Sequence, residues 1–154
     1  MNILRDNAMF IQSETQIEVR YYETDQMGIV HHSNYIRYFE CGRHQFLIDV
    51  GLPIMELEKH GIMMPVVSVS AKYHTPARMG DVLRVVSRVE KEPMARIEVL
   101  TDIYNQNGDL VCDGSVVLGF IHSDNRRPTR IPAALLEVFR KADMEQAAAK
   151  ENKQ

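Results

Sequence analysis

The chain has 154 residues, 45% of them hydrophobic and 25% charged, with a formal net charge of −3. That length and apolar content suit one domain with a substantial core. The mild acidity argues against nucleic acid as the main partner, because phosphate binding needs an excess of Lys and Arg on one face.

No apolar run approaches the roughly 20 residues that span a bilayer, so no membrane span is expected. Met1 to Glu14 carries Arg5 and Asp6 and lacks the continuous apolar stretch of a signal peptide. Cys41 and Cys112 stand far apart without CxxC spacing, the pattern of free thiols in a reducing compartment. The cytoplasm is the expected location.

In chain order, Thr15 to Tyr22 alternates, with Ile17, Val19 and Tyr21 on one face and Gln16, Glu18 and Arg20 on the other: a half-buried strand. Glu23 to His32, polar and containing Gly28, is a loop. From Ser33 to Val50 the period becomes helical, with Tyr35, Phe39, Gly42 and Phe46 recurring on one side. Ser33 is the expected N-cap, and Gly51 and Pro53 end the helix. Gly42 in mid-helix costs about 1 kcal/mol against Ala, which suggests close approach of helix to sheet.

Ile54 to His60 fits a short second helix stopped by Gly61. Val67 to His74, Asp81 to Glu90 and Ala95 to Tyr104 alternate as strands, and Asn107-Gly108 is a hairpin turn into Leu110 to Ile121. Pro132 to Lys150 is a helix of increasing polarity, with a frayed end expected. Without repeats or linkers, 1–154 reads as one domain with its core at about 15–122 and a C-terminal helix at about 132–150. The fold class is α+β: an antiparallel sheet of about five strands wrapped around one long central helix, the only element apolar enough to cover it.

The loop Glu23 to His32 is the densest cluster of titratable groups beside a helix start. Unpaired N–H groups and a partial positive charge there suit an oxyanion or a polarised carbonyl. Asp25 could serve as general base or nucleophile, although an Asp in such a loop more often bonds its own backbone in a turn. His31 and His32 lack a third ligand at familiar spacing, so no metal or other cofactor is expected. Cys41, mid-helix beside Glu40, reads as a buried structural thiol. Ser68 and Ser70 carry no GxSxG signature.

Met55, Met63 and Met64 cluster around Gly61; flexible thioethers suit an adaptable apolar pocket, but filling core gaps is their commoner use. Lys72, Arg78, Arg84, Arg88, Lys91 and Arg96 fit a solvated sheet face or an anionic ligand equally well.

The run from Val19 through Asp25, Gly28, His32, Ser33, Tyr35 and Phe39 to Glu40 resembles the hotdog-fold thioesterases, and within them the 4-hydroxybenzoyl-CoA thioesterase and YbgC-like branch. A second segment, Lys72 to Asp81, resembles the family's Y-x-x-P-A-x-x-G-D stretch through Tyr73, Pro76, Ala77, Gly80 and Asp81.

The resemblance implies a hotdog fold and hydrolysis of acyl-CoA to a free acid and CoA. It makes Asp25 the catalytic base or nucleophile, and gives Gly28, His32, Ser33 and Tyr35 roles in substrate binding, with the His32 N–H polarising the carbonyl. It also implies a homo-oligomer, dimer or tetramer, with the site between subunits. Glu23 stands where Asp is frequent, and no motif assigns the CoA phosphates. Hydrolysis of acyl carrier protein thioesters, or non-catalytic acyl-thioester binding on the same fold, are the alternatives.

Overall fold

The computed structural model describes residues 8–153, so the N-terminal reading concerning Met1 to Asn7 lies outside the described residues. The elements run β1 (Ala8–Glu18), α1 (Ser33–Val50), α2 (Ile54–Lys59), β2 (Ile62–Met63), β3 (Val66–Tyr73), β4 (Val82–Lys91), β5 (Arg96–Tyr104), β6 (Leu110–Gly119), β7 (Ile121–His122) and α3 (Ala133–Asn152). Five strands form one antiparallel sheet in the order β1-β4-β5-β6-β3, and β2 pairs with β7 separately. The sheet curls around α1, as expected.

Several boundaries differ from the sequence reading, and the strand read as Leu110 to Ile121 ends at Gly119, with Ile121–His122 a separate short strand. β1 begins at Ala8 and stops at Glu18, and Tyr21–Glu23 forms a single 3-10 turn. Tyr21 therefore does not continue the buried face of the strand: it is 79% exposed, whereas Val19 is buried. The early start reflects a polar alternation (Met9, Ile11 and Ser13 inward) that is weak by itself but holds against β4. The α3 helix runs to Asn152, two residues beyond the Lys150 end read from the sequence. Leu135, Phe139 and Ala142 bury its first turns, and farther along Asp143 Oδ1 and Gln146 Oε1 accept the Phe10 and Gln12 N–H groups.

The core forms where strand and helix periods meet. Leu83, Val85, Val89, Ile97, Val99 and Ile103 point inward from β4 and β5 onto Phe39, Phe46 and Leu47 of α1. Each such side chain contributes about 1.5–3 kcal/mol by leaving water. Small residues set the approach distance. A Cβ on Gly42 would lie 2.6 Å from Ser87 Oγ and 2.7 Å from Val85 Cγ1, the close contact that the mid-helix glycine suggested. Between β5 and β6, Asn105 Oδ1 accepts the N–H groups of Asn107 and Asp109, and Gly108 takes φ +83°, forming the expected turn.

The two edges of the sheet differ. On β1, Gln146 Nε2 also donates to the Gln12 carbonyl, so α3 satisfies outward-facing backbone. On β3 nothing among the described residues pairs with the outer edge, and Val66, Val67, Val69 and Tyr73 stand exposed.

Candidate active site

The loop before α1 is pinned by its own polar groups. The Asp25 N–H donates to the Ile29 carbonyl (2.8 Å) and the Gly28 N–H to the Asp25 carbonyl (3.0 Å), with Gly28 at φ +78°, the left-handed region glycine enters without strain. Asp25 Oδ1 accepts the Met27 N–H at 2.8 Å, so Asp25 does make the backbone turn bond typical of its residue type. The side chain is only half-buried, its Oδ2 has no protein partner among the described residues, and it lines a cavity of about 190 Å³.

The second motif explains the loop's position. The Val30 N–H donates to the Ala77 carbonyl at 2.8 Å, and Ile29 bridges Arg78. Ala77 is fully buried, and Gly80 and Asp81 bond Val19 at the end of β1. The two segments, far apart in sequence, are thus one assembly clasped by backbone hydrogen bonds. Glu23 lies beneath it: buried, its Oε1 accepts the Arg20 N–H (2.8 Å), and its carbonyl accepts from Asn34 Nδ2 (2.8 Å) and the His31 N–H (2.9 Å). The buried Tyr38 hydroxyl sits against Glu23, and burial, with the neighbouring carboxylate, pushes its pKa well above the ordinary phenol range.

α1 opens differently from the sequence expectation. Ser33 is the first helical residue rather than the cap; the cap position is His32, which makes no side-chain cap bond. His31 fills that role instead. Its Nδ1 accepts the Ser33 N–H (3.2 Å), and the Ser33 hydroxyl donates to the same nitrogen (2.8 Å). A neutral imidazole so used carries its proton on Nε2. The His32 N–H donates to no acceptor among the described residues and lies at the end of α1 where the helix dipole concentrates positive charge.

Of the sequence candidates, Asp25, His32 and Tyr35 line the same small cavity. Gly28 shapes the loop, and Ser33 is engaged with His31. Tyr35 is buried, and burial raises its phenol to about 12 against the opposing pull of the Ala77 backbone, so it stays protonated at neutral pH.

Sequence reasoning did not single out Tyr73 as a site residue. Its ring lies 5.4 Å from Tyr35 and 6.4 Å from His32, and its hydroxyl donates to the His32 carbonyl at 3.4 Å. The Y-x-x-P-A motif was the available signal. Arg84 is paired with Glu14, and Arg88 with Glu90 and Asp102, so these two guanidinium groups already have carboxylate partners. No three His, Cys, Asp or Glu side chains among the described residues are grouped as a metal site, and no described helix is long and apolar enough to cross a membrane.

A second, larger cavity of about 630 Å³ lies farther along α1, walled by Leu47, Ile54, Leu57, Ile62, Met63, Met64 and Leu118 with Glu40, Arg43, His44 and Glu58. Met63 and Met64 therefore line a pocket, Met64 while also packing against the core, and Met55 is exposed elsewhere. Cys41 also lines this cavity and is exposed, contrary to the buried thiol expected, because it sits on the face of α1 turned away from the sheet. Both cysteines are free; Cys112 is the buried one.

With this geometry, the chain matches the model of the thioesterase-like superfamily over residues 19–139, well over half its length. It belongs to that family and is a thioester hydrolase with a hotdog fold. Among its relatives, the YneP protein of Bacillus subtilis is 39% identical over 98 residues, 64% of this chain and 71% of that one. The chloroplast acyl-acyl carrier protein thioesterase ATL3 of Arabidopsis thaliana is 32% identical over 130 residues, 82% of this chain and 66% of that protein. Among solved structures, the DHNA-CoA thioesterase of Staphylococcus aureus superposes with a TM-score of 0.79 at 30% identity, covering 94% of this chain and 96% of that one.

Proposed function

We propose that the chain, acting as one domain, hydrolyses acyl-CoA thioesters to a carboxylic acid and CoA, in the cytoplasm and without a metal or other cofactor. The observation that supports this most is the placement of a carboxylate with a free oxygen, Asp25 Oδ2, in one cavity with the N-terminus of α1 and its unpaired His32 N–H. The thioester carbonyl oxygen accepts from the His32 N–H, and helix-end polarisation stabilises the charge that grows there in the tetrahedral intermediate.

Asp25 takes a proton from the water that attacks the carbonyl carbon; the C–S bond then breaks and CoA leaves as thiol once the proton is delivered to sulfur. Direct attack by Asp25, giving an anhydride that water opens, uses the same placement. Tyr35 and Tyr73 form the wall that orients the acyl group, Gly28 holds the loop's turn, and Ser33 keeps His31 at the helix start. Thioesters of acyl carrier protein share the reacting bond and form the second reading, since ATL3 is named for that substrate.

The functional unit is a homo-oligomer built on a dimer. The bare, apolar β3 edge favours antiparallel pairing with a second copy, whereas α3 already occupies the β1 edge.

The test is thiol release from acetyl-, dodecanoyl- and benzoyl-CoA by the wild type and Asp25→Asn. The Asn oxygen can still accept the Met27 N–H, so the turn survives while the base is lost, and kcat/KM falls by about 10²–10⁴. Equal rates in the two proteins would remove Asp25 from the chemistry.

A further inference from the structure

We infer that His31 is a positioning residue for the proposed hydrolysis: as a neutral imidazole it holds the His32 N–H in place for the thioester carbonyl, and its protonation releases that group, so that turnover falls on the acid side. This rests on the thioesterase reading with the His32 N–H at the carbonyl. It goes beyond that reading in setting a protonation requirement at a side chain that does not line the Asp25 cavity.

Hydrogen bonds bracket the backbone of His32. The His31 N–H donates to the Glu23 carbonyl at 2.9 Å, the Tyr73 hydroxyl to the His32 carbonyl at 3.4 Å, and the Ser33 N–H to His31 Nδ1 at 3.2 Å. The last of these closes a ring that runs from the imidazole through the His31 backbone and the whole of His32 to the Ser33 nitrogen, in the manner of an Asx turn. The His32 N–H belongs to that ring, so the ring sets its direction, while His32 takes φ −55° and ψ −29°, already helical. The other two bonds end on backbone carbonyls, which do not titrate. Nδ1 does.

An N–H can only donate, so Nδ1 must present its lone pair for the Ser33 bond to exist. Protonation puts a hydrogen there. The bond with the Ser33 hydroxyl, 2.8 Å, survives by reversing its direction, but the Ser33 N–H then meets another N–H and has lost its acceptor. The imidazolium also stands at the positive end of the α1 dipole and against the His32 ring, stacked at 4.2 Å between centroids. Tyr73 lies beyond His32, its ring 6.4 Å away. The nearby carboxylates favour the cation but are engaged elsewhere: Glu23 Oε1 accepts the Arg20 N–H, and Asp25 Oδ1 the Met27 N–H. A cation near the carbonyl would by itself favour the oxyanion. His31 is exposed, however, so water screens that charge, whereas a displaced donor loses a directional bond.

The test is kcat from pH 5.5 to 8 for the wild type, His31→Asn and His31→Leu, on whichever of acetyl-, dodecanoyl- and benzoyl-CoA turns over fastest. Thioester absorbance is followed, so thiol ionisation does not enter. Asn offers the Ser33 N–H an oxygen that does not titrate; Leu offers none. Wild-type kcat falls at least about fivefold from pH 8 to 5.5, where an imidazole changes charge and an ordinary carboxylate stays ionised. In His31→Asn that fall shrinks to less than about twofold. At pH 8, His31→Leu loses at least about tenfold in kcat with KM within about threefold, because the donor acts mainly in the transition state, and His31→Asn recovers most of the loss.

An acid fall that persists in His31→Asn belongs to another group and overturns the inference, as does a wild-type kcat that stays level or rises towards pH 5.5. Equal kcat in His31→Leu and His31→Asn at pH 8 overturns the positioning role. If His31→Leu does not fold, the pH profile of His31→Asn decides. All these results leave hydrolysis by Asp25 standing, whereas failure of the catalytic reading shows as equal rates in wild type and Asp25→Asn.

Discussion

Gly42→Ala sets two effects of opposite sign against each other. Alanine in a helix interior is favoured over glycine by about 1 kcal/mol. The added Cβ, however, would sit 2.6 Å from Ser87 Oγ and 2.7 Å from Val85 Cγ1, both on fully buried residues. Val85 and Ser87 are laddered on both sides, to Thr15 and Ser13 of β1 and to Ile103 and Thr101 of β5, so the backbone cannot retreat. Overpacking of this kind costs about 1–3 kcal/mol. The net loss expected is up to about 2 kcal/mol, or several degrees in Tm for a chain of this size, measured by calorimetry at fixed protein concentration.

Ser87 supplies the control. Its hydroxyl is buried without a hydrogen-bond partner among the described residues, so Ser87→Ala by itself is close to neutral or stabilising. In that background one of the two clashes disappears, and Gly42→Ala costs less than in the wild type. A Gly42→Ala protein with raised Tm, or a double-mutant cycle with no coupling, would refute the argument that helix-to-sheet contact requires glycine here.

Thiol chemistry separates the two cysteines. Burial pushes Cys112 up to about 12, while Cys41 is exposed, so a disulfide reagent titrates one fast thiol in the native protein and none in Cys41→Ser. Two fast thiols in the wild type would contradict this. Alkaline stability follows from Tyr35. Its folded value of about 12 exceeds its ordinary 10.0, so the stability from burying the neutral phenol is complete below pH 10 and is lost as pH rises from 10 through 12. The loss is about 2–3 kcal/mol at 1.36 kcal/mol per unit, and Cys112 acts in the same sense. Urea midpoints at pH 9 and 11.5 should diverge less in Tyr35→Phe than in wild type; an equal fall in both would remove Tyr35 as a cause.

Much of the architecture was legible because it is periodic. The 3.6-residue recurrence from Tyr35 to Phe46, the alternation of Leu83, Val85 and Val89, and the Asn107-Gly108 turn are local signals, and each element they mark is present. Gly42 also revealed, from its position alone, that helix and sheet meet closely. The two motifs identified the family, and the first of them named Asp25, His32 and Tyr35.

What no local pattern could supply was the joining of distant segments. That Ala77 holds Val30, that Tyr73 completes the wall beside Tyr35, and that His31 rather than Ser33 serves the helix start depend on which carbonyl or ring is brought within about 3–6 Å by folding. The outward face of Cys41, the methionine-walled cavity and the contrast between the occupied β1 edge and the bare β3 edge have the same origin. Amino-acid type fixes a residue's chemistry and its local period, whereas exposure and partnership are properties of the packed surface around it.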